Sequence, residues 1–136
     1  MDNIILSVIG NKILAEILHE VKLYKNSKVL AYEDLQNFLD NTNLVSHDNN
    51  VLVYFIDTVV PDEQKLKKMN IPIVFIMKNR NAYLNLGPFK DLSFEIMSLP
   101  LKIYDFSTKV RICLSKNKFF KNSLISILEY MLDINK

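Results

Sequence analysis

Six apolar residues in a row, Val51-Leu52-Val53-Tyr54-Phe55-Ile56, run straight into an acid, Asp57. A run this short, rich in β-branched and aromatic residues and without polar alternation, reads as a strand buried on both faces. Such a strand belongs in the middle of a parallel sheet with helices on both sides. The acid then stands at the carboxyl end of a central strand, the edge where open α/β sheets hold ligands. Pro61 and Asp62 follow, and the proline stiffens the loop that leaves the strand. The plain alternative for Asp57 is a helix cap or a solvated loop residue, a common use of aspartate.

The flanking sequence repeats this pattern. Asn3 to Ile9 is a second apolar strand, closed by Gly10, and Asn11 is placed to cap the next segment. Ile13, Leu14, Ile17, Leu18 and Val21 recur at i, i+3 and i+4 and predict the core side of a helix, with Glu16 and Glu20 on its wet side. Lys28 to Tyr32 predicts a short strand. Glu33 to Leu39 predicts a short helix with Leu35, Phe38 and Leu39 facing in. Asn41 to Asn50 is a polar surface loop. Glu63 to Met69 has the length of about two helical turns. Pro72 sits near the start of Ile71 to Met77, where a strand tolerates proline. Between Lys78 and Lys90, Tyr83, Leu84 and Leu86 favour a helix that Gly87-Pro88 would end early. Ser93 to Ser98 predicts a fifth strand. Tyr104 to Leu114 predicts a helix with Phe106, Val110, Cys113 and Leu114 inside, and Ser123 to Ile134 a last amphipathic helix capped by Asn122. Strands alternating with helices imply right-handed βαβ units. Five of them predict a doubly wound, flavodoxin-like parallel sheet, here with one extra C-terminal helix.

Several functions are not expected. The formal charge of +2 is small and the lysines are scattered, which argues against a nucleic-acid partner. One cysteine, two distant histidines (His19 and His47) and no HExxH or CxxC spacing argue against a zinc-type metal site. No stretch reaches the roughly 18 to 20 apolar residues of a membrane span. Met1-Asp2-Asn3 lacks the basic character of a signal peptide, so the expected location is cytoplasmic, away from membranes. Gly10 and Gly87 are the only glycines, which leaves no glycine-rich phosphate loop. No nucleophile–base motif stands out, and an enzyme is not expected.

Three stretches resemble one family. Ile56-Asp57-Thr58-Val59-Val60-Pro61-Asp62 resembles the phosphoacceptor loop of response-regulator receiver domains (the CheY-like family), where an Asp ends the third strand. Ile71-Pro72-Ile73-Val74-Phe75-Ile76 resembles that family's fourth strand. Ser98-Leu99-Pro100-Leu101 resembles its Thr-Lys-Pro-Phe junction. The resemblance implies a CheY-like receiver domain over residues 1–115 and a helical extension over 116–136. It implies Asp57 as the phosphoacceptor, with Thr58, Pro61 and Asp62 as its loop neighbours. It also shows where the family's ligands are missing. The acidic pair ending the first strand is replaced at Ile9 and Gly10, the Ser/Thr ending the fourth strand by Met77, and the Lys before the proline by Leu99. The aromatic switch position falls near Ile96. Mg²⁺ binding is therefore expected to be lost or weak, since a hard cation needs oxygen ligands. Lys78 and Lys102 lie near the same edge and could stand in for the missing lysine, though solvated surface charge is their plainer use.

These departures predict a pseudo-receiver: a regulatory protein-interaction module of a bacterial signalling pathway that works without phosphorylation and holds a protein partner. The family's face of fourth helix, fifth strand and fifth helix is the expected contact surface. The wide apolar stripe of 123–134 is expected to pack on its own domain, or on a second copy or another protein, a second copy giving a homodimer. The alternative is a genuine two-component phosphorelay receiver modified on Asp57 with rearranged ligands.

Overall fold

The computed structural model describes residues 4–22, 27–41, 49–57, 61–69, 71–78 and 92–117. The elements in chain order are β1 Ile5–Ile9, α1 Lys12–Val21, β2 Lys28–Tyr32, α2 Leu35–Asn41, β3 Asn50–Phe55, α3 Glu63–Met69, β4 Ile73–Met77 and β5 Phe94–Ser98. A further helix, α4, covers 103–117. The predicted fourth-helix region of 79–90 and the terminal helix of 123–134 lie outside the described residues.

All strands are parallel, in the order β2-β1-β3-β4-β5. This is the doubly wound, flavodoxin-like order that the alternation predicts, and its chain reversal lies between β1 and β3. The apolar run is central: β3 is buried at every position, as is β4. Alternate residues feed two cores. On one face Leu6, Val8, Val51, Val53, Phe55, Val74 and Ile76 meet Leu14, Ala15 and Leu18 of α1 and Phe106, Val110 and Leu114 of α4. On the other, Ile9, Leu52, Tyr54, Ile73, Phe75 and Met77 meet Leu35 and Phe38 of α2 and Leu66 of α3. Both layers of helices needed by a doubly buried strand are thus present.

The helix starts follow from short polar side chains. Asn11 Oδ1 accepts from the Leu14 amide at 2.9 Å. Asp34 and Asp62 do the same for Asn37 (2.8 Å) and Lys65 (3.1 Å). Asn11→Ala should lower unfolding stability by about 1 kcal/mol, the usual worth of such a cap, seen as a lower urea midpoint at unchanged slope.

Several expectations need correction. Ile13, Ile17 and Val21 are exposed, and α1 instead buries Leu14, Ala15 and Leu18. The second helix starts at Leu35, because Asp34 caps it and holds the preceding turn out of the helix. Asn50 is not in the surface loop. It opens β3, fully within the sheet, and its Oδ1 accepts from the buried Ser7 hydroxyl at 3.0 Å. The fourth strand begins at Ile73, two residues later than its apolar run. The helix predicted over Tyr104 to Leu114 is longer than expected and covers 103–117, where the described residues end.

Cys113 is a core residue, as expected. It donates from Sγ to the carbonyl oxygens of Ile73 (3.2 Å) and Ser93 (3.3 Å), and the Ser93 hydroxyl donates to its carbonyl oxygen at 2.6 Å. Helix α4 is thereby tied to both β4 and β5.

Candidate functional site at the carboxyl edge of the sheet

The strands end together at one edge. The Ile56 amide donates to the Ile76 carbonyl oxygen at 3.1 Å, extending the β3–β4 ladder past the last strand residue. Asp57 comes next and is exposed. Its Oδ2 accepts from the main-chain N–H of Lys78, so the acid ties the exit of β3 to that of β4. Leu99 donates its amide to Met77 at 3.0 Å, which ties in β5, and the Leu99–Pro100 bond is cis. On the other side of β3, Gly10 donates to the Tyr32 carbonyl at 3.0 Å. Gly10 has φ 87°, a left-handed value that glycine adopts without a Cβ clash.

Of the predicted site residues, Asp57, Gly10, Ile9, Met77 and Leu99 gather at this edge from four different strands. Ile9 and Met77 are buried apolar residues beneath it, and Leu99 is half-buried against the α1–α4 core. Pro61 is half-buried and Asp62 exposed at the start of α3. Thr58 lies outside the described residues. The side chains of Lys78 and Lys102 are exposed.

An octahedral Mg²⁺ site needs oxygen ligands in near-ideal array. Asp57 brings a carboxylate to the end of β3, where one of its oxygens already accepts from Lys78, and Glu33 stands exposed just past the end of β2. The side-chain oxygen of Asn11, at the end of β1, is committed to the α1 cap. An oxygen of Asp62 is committed to the α3 cap. Among the described residues no group of three or more His, Cys, Asp or Glu side chains converges on one point.

Below the edge, Tyr54 is fully buried. Burial first, and then the charges of Asp62 and Asp34, push its hydroxyl from 10.0 up to about 12. Burial likewise raises the Cys113 thiol from 9.0 to about 11, against the Ser93 hydroxyl, whose hydrogen bond to the sulfur lowers it. Both groups are neutral in the fold, and unfolding lets them ionise at their ordinary values. Their stabilising contribution is whole below pH 9 and is lost as pH rises through about 11 and 12. Unfolding free energy measured against pH should fall across that window. Tyr54→Phe should remove the part above pH 10.

A concavity of about 530 Å³ lies between β5 and α4 and is lined by Ile96, Ser98, Lys102, Asp105, Lys109 and Ile112 among others. Tyr104, 84% exposed, and Ile112, 40% exposed, lie on the same helix. Glu95 of β5 accepts from Lys116 at 2.8 Å and faces Lys109 at 3.6 Å, holding α4 against the edge strand. The sequence reading missed this clamp. Its signal is the seven-residue spacing of the two lysines, two turns apart on one helix face.

No family model and no curated protein sequence matches this chain. Solved structures do. The response regulator StyR superposes with a TM-score of 0.73 at 16% identity, over 95% of this chain and 67% of that one. FixJ-N superposes with a TM-score of 0.64 at 18% identity, over 85% of this chain and 95% of that one. At these identities the likeness carries the fold, and it agrees with the strand order. The chain has the CheY-like fold of response-regulator receiver domains.

Proposed function

We propose that this chain is a signalling module that acts by holding a protein partner and not by cycling a phosphoryl group. One observation carries the reading. Around Asp57, the oxygens that would have to gather a cation are replaced by Ile9 and Gly10 or spent on helix caps. Phosphoryl transfer is almost wholly positioning and charge neutralisation, so an acid without those neighbours is a poor acceptor. Asp57 is instead a fastener across the β3–β4 exits. The module has no catalytic role and no Mg²⁺ requirement, and its partner is a protein of a bacterial signalling pathway.

The contact surface in this reading is the β5–α4 concavity with Tyr104 and Ile112 at its border. An exposed aromatic on the helix that walls a hollow of mixed polar and apolar lining suits protein contact, because such residues dominate interface energy. The second reading is a working phosphorelay receiver, favoured by the exposure of Asp57 at the strand end.

Partner capture separates the two readings. Proteins retained by the wild-type chain should be retained by Asp57→Asn within about twofold. Tyr104→Asp with Ile112→Asp should weaken them by about tenfold or more, the usual cost of losing interface anchors. Retention that rises with a phosphodonor and vanishes in Asp57→Asn contradicts the proposal.

A further inference from the structure

The two edges of the sheet are built differently. At one, β5 turns Glu95 to α4, where its side chain is 18% exposed and held by Lys109 at 3.6 Å and Lys116 at 2.8 Å. An inward-pointing charge on an edge strand is a device that keeps further strands from adding there. β2, the other edge, carries no inward charge. Its Leu30 is 42% exposed, and Ala31 is exposed beside it. Val29 packs on the α1–α4 core and Tyr32 on the α2–α3 core. Side chains alternate along a strand, so Leu30 projects on the α2 side and Ala31 on the α1 side.

The hydrogen bonds of β2 show which main-chain groups point outward. Lys28 donates its amide to the Ile4 carbonyl at 3.0 Å, and the Tyr32 carbonyl accepts from Gly10 at 3.0 Å. Successive residues of a strand turn their N–H and C=O groups to opposite sides, so Lys28, Leu30 and Tyr32 face β1. Val29 and Ala31 face away from it, where among the described residues no strand pairs with them. Such a row of donors and acceptors is a template for another strand.

The charges of β2 select that strand. Lys28 opens it, and Glu33 and Asp34 follow its carboxyl end. Laid antiparallel on a second β2, it sets opposite charges together at both ends, whereas a parallel strand of the same sequence sets like charges together. Full overlap of Lys28–Tyr32 with its copy centres the pair on Leu30. A two-fold axis perpendicular to the sheet then keeps each face on its own side. Val29 of each copy opposes Ala31 of the other, and these pairs exchange both of their main-chain hydrogen bonds. Leu30 meets Leu30 at the close position between them. Lys28 lies opposite the second copy's Tyr32 ring, with that copy's Asp34 on the diagonal.

We infer that two copies of this chain join at β2, antiparallel and centred on Leu30, into one continuous sheet. A five-residue edge buries less than the roughly 800 Å² per partner of a standard interface, so the dimer is weak, forms with rising concentration and loosens with salt. The contact stands whether or not Asp57 accepts a phosphoryl group. Leu30→Cys in the full chain tests it. Residues at the close position of an antiparallel pair have Cα atoms about 4.5 Å apart, within the roughly 4.4 to 6.8 Å of a disulfide. Under mild oxidation this variant should form a disulfide-linked dimer at least tenfold faster than Lys67→Cys, at a comparably exposed position on α3. The unchanged chain, whose one cysteine is buried, serves as the blank. Equal rates for the two variants overturn the inference. Light scattering across a concentration series gives a second readout. Ala31→Pro removes an outward N–H and spares the β1 ladder, and Leu30→Lys sets like charges on the axis. Each should stay monomeric where the unchanged chain dimerises. An unchanged chain that is monomeric throughout the series, or a dimer that survives both substitutions, overturns the inference.

Discussion

Phe75→Ala should cost about 3 to 5 kcal/mol, the usual range for deleting a buried phenylalanine. Phe75 is the middle residue of β4 and fully buried. It lies in the core between the sheet and the α2–α3 layer, edge-to-face with Tyr54 at 6.1 Å and with Phe94 at 5.9 Å between ring centres. Removing the ring leaves a cavity that β3 and β5 cannot close, because their own registers fix them on β1 and β4. Domains of this size have about 5 to 15 kcal/mol in total, so the variant should stand near the edge of unfolding at room temperature. Urea denaturation followed by circular dichroism checks this. The midpoint should drop by a large fraction with the slope unchanged. A loss under about 1 kcal/mol would mean that this face is not packed as described.

Phosphoryl uptake at Asp57 should be slower than in an ordinary receiver by about four orders of magnitude or more. Removing one aimed electrostatic contact from a transition state commonly costs about 10² to 10³ in rate. The resemblance to receivers implies three such contributions that this chain lacks: the acid pair at the β1 end, the hydroxyl at the β4 end and the lysine before the proline. In their places stand Ile9 and Gly10, Met77 and Leu99. Two independent losses already reach that lower bound, and a third need not add in full. The Lys78 amide is the contact Asp57 does have, and it engages one of the two carboxylate oxygens.

The sequence reveals the strands best where they are buried on both faces. Val51 to Ile56 and Ile73 to Met77 are continuous apolar runs because no position on them meets water. That same continuity blurs their ends: Ile71 is 3% exposed and apolar, yet it precedes the strand. Caps were legible where a side chain serves its own helix, as at Asn11. The orientation of α1 was not, because its apolar residues cover a wide arc and periodicity cannot say which ridge meets the sheet. Ala15, too small to weigh in a hydrophobic pattern, decides it. Asn50 reads as loop because its partner, Ser7, is 43 residues away and invisible to local spacing. At the candidate site the acid at the end of the central strand was legible from its abrupt position. Its tie to a main-chain N–H was not, since every residue but proline carries that donor.

The most direct measurement is the intact mass of the full chain after incubation with acetyl phosphate and Mg²⁺, beside an ordinary receiver and the Asp57→Asn variant. The account predicts an unchanged mass for the wild-type chain, the same as for the variant, under conditions that modify the ordinary receiver to completion. A Mg²⁺-dependent phosphoryl adduct on the wild-type chain, absent from Asp57→Asn, would contradict it.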